Sequence, residues 1–167
     1  MMRRLLASFI GEDGIMSFKN LSQTRSRAWL AFLIWTVAGI GFTLTFFMGG
    51  GADQFDTDSM RHLAGAGALA FGFFGYWTAL WFTRERDQGL AADERDVQVI
   101  AQASQATLII ALVGVFAFTI GLWTVYEGAG AVPVGWMWFL AYGSVILASV
   151  TFAVATLVLD GRMGGHG

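Results

Sequence analysis

The chain has 167 residues, of which 56% are hydrophobic and only 13% are charged, well below the roughly 25% charged residues of an average soluble protein. This composition is typical of a membrane protein, and a formal charge of −2 offers no concentrated basic patch for nucleic acid. The absence of cysteine excludes disulfides, thiolate metal sites and thiol redox chemistry.

Residues 1–27 form an arm in which basic residues surround one short apolar run, residues 5–10. The sequence GEDG at residues 11–14 interrupts this run before it reaches the length of a secretory signal, so we expect no cleavage. The arm is predicted to be a frayed tail or a short interfacial amphipathic helix, and the tail is favoured because chain ends are commonly poorly ordered. Met16 offers a second start codon besides Met1.

Four apolar stretches within residues 28–160 are long enough to cross a bilayer as helices. The first, residues 28–48, corresponds to about 31 Å of helix, against a hydrocarbon core of about 30 Å. The other spans are predicted at residues 63–82, 97–126 and 136–159. The third exceeds the bilayer, so its first two turns are expected to project into the cytoplasm. The predicted fold is an all-α integral membrane protein with four transmembrane helices in two antiparallel hairpins and a short tail, residues 161–167.

The basic residues predict how these spans are oriented. If both termini are cytoplasmic, nine of the ten basic residues lie inside and only Arg61 lies outside, which is a strong positive-inside bias. Residues 49–62 and 127–135 then connect the spans on the outer side. Arginine predominates over lysine, and Gly and Ala are abundant, which indicates a GC-rich bacterial genome. We therefore predict a multi-pass protein of the bacterial inner membrane.

The second span carries a line of small residues at helical spacing: Ala64, Ala68, Gly72, Gly75 and Ala79. Small side chains let two helix backbones approach closely in lipid, where packing drives association. We therefore expect this seam to contact another helix. A helix of the same chain is favoured over one from a partner copy, because neighbouring spans are tethered.

The beginning of the third span bears the only sustained polar stripe beside the apolar spans. Its members follow one another at spacings of three, four and three and so share one helical face: Arg95, Gln98, Gln102 and Gln105. In the favoured interpretation the amides hydrogen-bond to neighbouring helices and lock the cytoplasmic half of the bundle. In the other they line an inner-leaflet pocket for a lipid headgroup, a small polar ligand or a partner's tail.

A charged loop, residues 83–96, precedes this span and ends in Asp93, Glu94, Arg95 and Asp96. Asp93 is placed to cap the third helix, and Glu94 and Asp96 fall in its first turn, where carboxylates meet the positive end of the helix dipole. The same four residues are the predicted contact for a soluble regulator, should the loop relay a signal.

No acidic, basic or histidine residue falls in the central part of a predicted span. Because such residues at mid-membrane normally mark proton or ion pathways, this pattern argues against active transport. The nearest charged groups are Glu127 and Asp160, at span ends, where we expect them at the membrane interface.

Two histidines occur, His62 and His166, and the predicted topology places them at opposite ends of the bundle, so they cannot ligate one haem. His62, alone or together with Asp58, is the candidate ligand for a metal or pigment. We predict no catalytic residues and no cofactor, but we expect bound lipid.

The DERD sequence at residues 93–96 is followed by Ile100, Ala103 and two spans. In this the chain resembles a family of small predicted bacterial and archaeal membrane proteins of unknown function, which place a DER-type motif immediately before a helical hairpin. The resemblance covers residues 92–162 and implies a hairpin without a particular activity, although some members resemble neighbours of transcription regulators in genomic context. The long N-terminal arm and a tail with only Arg162 depart from the family's pattern.

The sequence therefore predicts a non-enzymatic protein that acts by helix contact, as an accessory subunit of a membrane complex or as a homo-oligomer. Its 15 Phe and seven Trp, with the small-residue seam, supply lateral packing surface. One alternative is a carrier or enzyme for a lipid or small amphipathic ligand that uses the polar stripe. Another is a signal-relay protein that uses the charged loop. Membrane lipids and either itself or a larger complex are the expected partners.

Overall fold

The computed structural model describes residues 23–84 and 94–164, and within these ranges the chain is helical and contains no strand. The helices are α1 (Gln23–Phe47), α2 (Ala52–Phe55), α3 (Ser59–Arg84), α4 (Glu94–Tyr126) and α5 (Val134–Gly164), with a 3-10 turn at Glu127–Ala129. All but α2 are long and apolar enough to cross a membrane, which confirms the prediction of four such helices. Most of the N-terminal arm, Asp93 and His166 lie outside the described residues.

All four long helices begin earlier than the predicted spans, at Gln23, Ser59, Glu94 and Val134. Helix α3 begins at Ser59 because Asp58 caps it: the backbone N–H of Met60 donates to Asp58 Oδ1 at 3.0 Å. Helix α4 begins at Glu94, inside the charged loop, with Glu94 and Asp96 in its first turn. Its 33 residues correspond to about 50 Å, more than a hydrocarbon core of about 30 Å requires.

The long helices pack as a row in the order α3, α1, α5 and α4. The extensive interfaces join α1 to α3, α1 to α5 and α4 to α5, so α1 and α5 occupy the centre. One core cluster combines Ala31, Trp35 and Ala38 of α1 with Ala153 of α5. The edge helix α4 has three buried residues, Val99, Ala103 and Leu122. Most of its apolar side chains therefore remain available to lipid or to a partner.

The second core cluster lies towards the C-terminal end of α1 and the N-terminal end of α5, and it includes the connection between α1 and α3. Gly50 and Gly51 adopt positive φ angles of 99° and 68°, which reverse the chain after α1. The helical turn α2 then places Phe55 fully buried beside Phe42 and Phe46. The connection between the first two predicted spans, residues 49–62, thus contains a short helix whose Ala52 and Phe55 are buried in the core.

Hydroxyl groups in the long helices are mostly satisfied within their own helix. The oxygens that donate to a carbonyl four residues earlier belong to Thr45, Ser104, Thr107, Thr119, Thr124, Ser149 and Thr156. Such back-bonding removes the cost of a hydroxyl in an apolar environment. It also leaves the packing between helices to apolar contacts and to a few polar contacts near the helix ends.

Candidate functional site

The strongest polar contact between helices joins the beginning of α4 to the end of α5. Arg95 Nη2 donates to Asp160 Oδ1 at 2.9 Å and to the Asp160 backbone carbonyl, also at 2.9 Å. The Asp160 side chain is only 5% exposed, whereas that of Arg95 is 39% exposed. Asp160, expected from the sequence at the membrane interface, is buried against α4. A carboxylate so deeply buried requires a cation beside it, which Arg95 provides.

The other members of the polar stripe lie on the exposed surface of α4. Gln98, Gln102 and Gln105 are exposed, and none of them hydrogen-bonds to another helix among the described residues. Val99 and Ala103, one position further along the helix, are fully buried. The stripe therefore runs along the edge of the α4–α5 interface. Of its four members, Arg95 is the one that forms a polar contact with α5 among the described residues.

Gln102 and Gln105 border a groove of about 670 Å³ between α4 and α5. Apart from these amides and Thr151, its lining is aliphatic, with Ile109, Ile110 and Val154 among the larger side chains. The groove begins two helical turns from Arg95. An acyl chain or another elongated apolar group fits the chemistry of this surface, with amides at one end to bond a polar head.

A second polar contact holds α4 and α5 together at their other end. Trp136 Nε1 donates to the hydroxyl of Tyr126 at 2.9 Å, directly across the turn that joins the two helices. Trp136 also packs against Phe46 and Phe118. Nothing in the local sequence around Trp136 indicates this hydrogen bond.

His62, the candidate metal or pigment ligand, packs against two aromatic rings in the structure. Its ring centroid lies 4.8 Å from that of Phe55 and 5.0 Å from that of Trp138, and Nε2 is 3.4 Å from the Asp56 carbonyl oxygen. Among the described residues, no three His, Asp or Glu side chains group closely enough to hold a metal ion. His62 therefore completes the packing around α2.

The small-residue seam of α3 lies partly against α1 of the same chain. A Cβ atom at Gly72 would lie 2.6 Å from the Trp35 ring, and one at Gly75 would lie 3.4 Å from Ile34. Ala68 packs against the second core cluster and Ala79 is partly buried, whereas Ala64 is exposed.

The neighbouring Gly65, which the sequence prediction left out, is buried where Ala64 is not. A Cβ atom there would lie between 3.3 and 3.5 Å from Phe55, Tyr142 and Phe42. The contact line on α3 therefore shifts by one residue at its N-terminal end, towards the short helix α2.

An apolar groove runs over α5 between α1 and α4, because α5 separates these two helices. Its volume is about 390 Å³. Three glycines, one from each helix, lie along it: Gly39, Gly114 and Gly143.

Comparison with protein-family models, curated proteins and solved structures gives no match. The chemistry of these surfaces therefore carries the functional interpretation.

Proposed function

We propose that this chain is a non-enzymatic, multi-pass protein of the bacterial inner membrane that acts by lateral helix contact, as an accessory subunit of a membrane complex or as a homo-oligomer. Four helices of membrane length support the location. The interfaces α1–α3 and α4–α5 support two antiparallel hairpins joined through α1 and α5.

The distribution of charge supports cytoplasmic termini. The helix ends that meet around the Arg95–Asp160 pair carry arginines at four positions: Arg25, Arg27, Arg95 and Arg162. The opposite end carries Glu127 and three aspartates of the α1–α3 connection, together with Arg61. An excess of arginine on one side is the positive-inside pattern, which orients that side toward the cytoplasm.

The observation that carries the contact proposal is the groove over α5. A single row leaves this surface concave, about 390 Å³ in volume and lined by apolar side chains, glycines and two hydroxyl residues. Small residues in its floor allow the backbone of an added helix to approach closely, which is how helices associate in lipid. An added helix here would contact α1, α4 and α5 at once.

Filling this groove from inside tests the proposal. A Cβ atom at Gly143 would meet only the Phe139 ring, at 3.9 Å, so the larger side chain of Gly143→Leu extends into the groove without displacing its neighbours. We expect gently extracted Gly143→Leu to lose the assembly that the wild-type protein forms, as measured by native mass spectrometry, while its helical circular dichroism is unchanged.

Gly67→Leu is the matched control, since a Cβ atom at Gly67 would meet no described atom within 4 Å and Gly67 lies on α3, away from the groove. It should keep the assembly. The contact proposal fails if the wild-type protein is extracted as a monomer without any partner. It also fails if Gly143→Leu forms the same assembly as the wild type.

The groove beside Gln102 and Gln105 favours a second candidate, a carrier or enzyme for a lipid or small amphipathic ligand. The combined change Gln102→Leu and Gln105→Leu removes both amides from the groove while leaving its aliphatic lining. Under this proposal the fold persists but a co-purified ligand is lost. Gln98→Leu, which replaces an exposed amide outside the groove, should retain the ligand. Unchanged ligand retention in the double variant would rule out this second candidate function.

The signal-relay function and the resemblance to the DER-motif family stay predictions. Residues 85–93 of the charged loop lie outside the described residues. Replacing Asp93, Glu94 and Asp96 by alanine, while keeping Arg95 for its contact with Asp160, tests whether a soluble partner depends on this loop.

A further inference from the structure

The outward edge of α4 carries a line of exposed side chains with the spacing that pairs two helices. Its members alternate at intervals of four and three residues: Gln98, Gln102, Gln105, Ile109, Leu112 and Phe116. At 1.5 Å per residue they extend over about 27 Å of helix. A repeat of this kind keeps one face of a helix turned toward a neighbouring helix along its length. We call these six residues the heptad face of α4.

The heptad face has no partner within the described part of the chain. Helix α4 lies at the edge of the row and meets α5 through other residues, including the buried Val99 and Ala103. The three apolar members of the face are between 62% and 68% exposed. The three amides are exposed as well, and none of them forms a hydrogen bond among the described residues. Polar and apolar groups are thus left open on one face.

The surroundings of the amides favour a neighbour that brings its own hydrogen-bonding groups. Gln102 and Gln105 border the α4–α5 groove, whose wall on α5 lies within residues 150–159 and is aliphatic except for Thr151. Lipid tails beside such a wall offer no hydrogen bond, and an amide without a partner in apolar surroundings costs free energy. The other edge helix, α3, contains no amide side chain. The two edges of the row therefore differ in what can cover them.

A second copy of the same face supplies the missing groups. An amide side chain both donates and accepts hydrogen bonds, so two identical amides can bond to each other. Copies that insert in the same orientation have α4 running in the same direction. A two-fold axis along the membrane normal then places each glutamine opposite the same glutamine of the second copy. No further chemical group is needed.

We propose that two copies of this chain dimerise through the heptad face of α4, with the glutamines paired across the two-fold axis and Ile109, Leu112 and Phe116 packed along the rest of the interface. This inference rests on the proposed membrane location and contact function, and it names the partner of α4. None of the six residues lines the groove over α5, so that groove stays open to another helix.

A second copy suits this face better than a lipid does. A lipid in the α4–α5 groove can reach Gln102, Gln105 and Ile109, which border it. The other members of the heptad face, Leu112 and Phe116 among them, lie outside that groove. A second α4 covers all six residues at once, because it has the same length and the same repeat.

Energy transfer between fluorescent labels measures the dimer. Full-length chains labelled at the C-terminus with a donor or an acceptor are mixed in vesicles of phosphatidylethanolamine and phosphatidylglycerol, at a series of protein-to-lipid ratios. We expect the combined change Gln102→Leu and Gln105→Leu to weaken dimerisation about tenfold. Hydrogen bonds between membrane helices are individually weak, but two glutamine pairs are lost together.

A second variant separates the dimer from a ligand in the α4–α5 groove. The combined change Leu112→Ala and Phe116→Ala leaves that groove intact and should also weaken dimerisation, because it removes packing from the heptad face. The matched control combines Ile100→Ala and Val125→Ala, two exposed residues of α4 that are not members of this face. It should dimerise as the wild type does.

Cross-linking locates the interface independently. The chain has no cysteine, so a single introduced thiol reports its own distance from the same thiol in a second copy. Leu112→Cys should form a disulfide-linked dimer when membranes are treated with copper phenanthroline as oxidant. Ile110→Cys is the control, since residues two apart do not share a helix face, and it should form little of this product.

Three results would overturn the α4 dimer. They are energy transfer in the wild type no greater than chance proximity gives, wild-type transfer in either the glutamine or the Leu112 and Phe116 variant, and equal cross-linking of Ile110→Cys and Leu112→Cys.

Failure of the proposed function looks different. Gly143→Leu fills the groove over α5 and should keep the α4 dimer, so a protein that has no other partner to lose fails the groove proposal alone. If the chain is not a membrane protein, an alkaline wash would release it from native membranes.

Discussion

The two helix pairs at either side of the row both pack through apolar side chains, but they differ in the contacts described between them. Helices α1 and α3 meet through large side chains on small ones: the buried Trp35 covers Gly72, and its ring meets Phe73 edge-on with centroids 5.0 Å apart. Helices α4 and α5 are joined by Arg95–Asp160 at one end and Trp136–Tyr126 at the other, with a groove alongside. Helices α4 and α5 thus add a polar contact at each end to an apolar interface at least as extensive as that of α1 and α3.

The largest expected effect comes from disturbing the closely packed pair. In Gly72→Ala the new methyl group would lie 2.6 Å from the ring of Trp35, which is buried and cannot swing away. Overpacking of this kind costs about 1–3 kcal/mol. We expect the free energy of unfolding to fall by that amount in a denaturing-detergent titration followed by circular dichroism.

Gly67→Ala supplies the comparison on the same helix, because the added methyl group meets no described atom within 4 Å. Replacing a glycine inside a helix by alanine is neutral or stabilises by up to about 1 kcal/mol. Equal losses in Gly67→Ala and Gly72→Ala would mean that helix propensity, and not contact with α1, determines the result.

An intermediate effect is expected from breaking the ion pair of α4 and α5. Asp160→Asn leaves Arg95 without its anionic partner, and because Arg95 is partly exposed we expect a loss of about 1–2 kcal/mol rather than the larger cost of a fully buried pair. Adding Arg95→Gln should cause little further loss, which a double-mutant cycle of unfolding free energies measures.

The exposed carboxylate of Glu127 provides the control for this cycle, since it forms no ion pair among the described residues. Glu127→Gln should leave the unfolding free energy unchanged. Strictly additive losses in the Arg95 and Asp160 variants would show that the two side chains do not stabilise each other.

The smallest effect concerns the other joined end. Tyr126→Phe removes the acceptor of the Trp136 Nε1 hydrogen bond, and hydrogen bonds between membrane helices contribute about 0.6 kcal/mol on average. We expect a loss of that size in the same titration. Tyr142→Phe is the matched change, because the Tyr142 hydroxyl makes no hydrogen bond within the described ranges; a similar loss in both variants would contradict the assignment.

The number of long helices could be predicted from the sequence because length and hydropathy are local properties. The bonding of Arg95 could not, because its partner Asp160 lies 65 residues away and nothing in either segment specifies the other. Asp160 looked like an interfacial residue, since its burial depends on α4 extending beyond its apolar span.

The spacing of the three glutamines along the sequence also identified the helix face that they share. It did not indicate which surface that face would contact. Gln102 and Gln105 border the groove because Val99 and Ala103, not the amides, are the residues buried in the interface. Phe55 offered a signal that sequence reasoning left unused: it is an aromatic residue alone among glycine and acidic residues. Such a residue in a connection is a candidate for burial.

The place of α1 in the row has a consequence for how the protein is made. Among the described helices α1 comes first along the chain, yet its second neighbour, α5, comes last. Until the ribosome has produced α5, Phe42 and Phe46 lack the Phe139 ring that they contact in the folded protein. The α1–α5 interface, which joins the two halves of the row, can therefore form only after α5 has been made, and α1 stands without that neighbour until then.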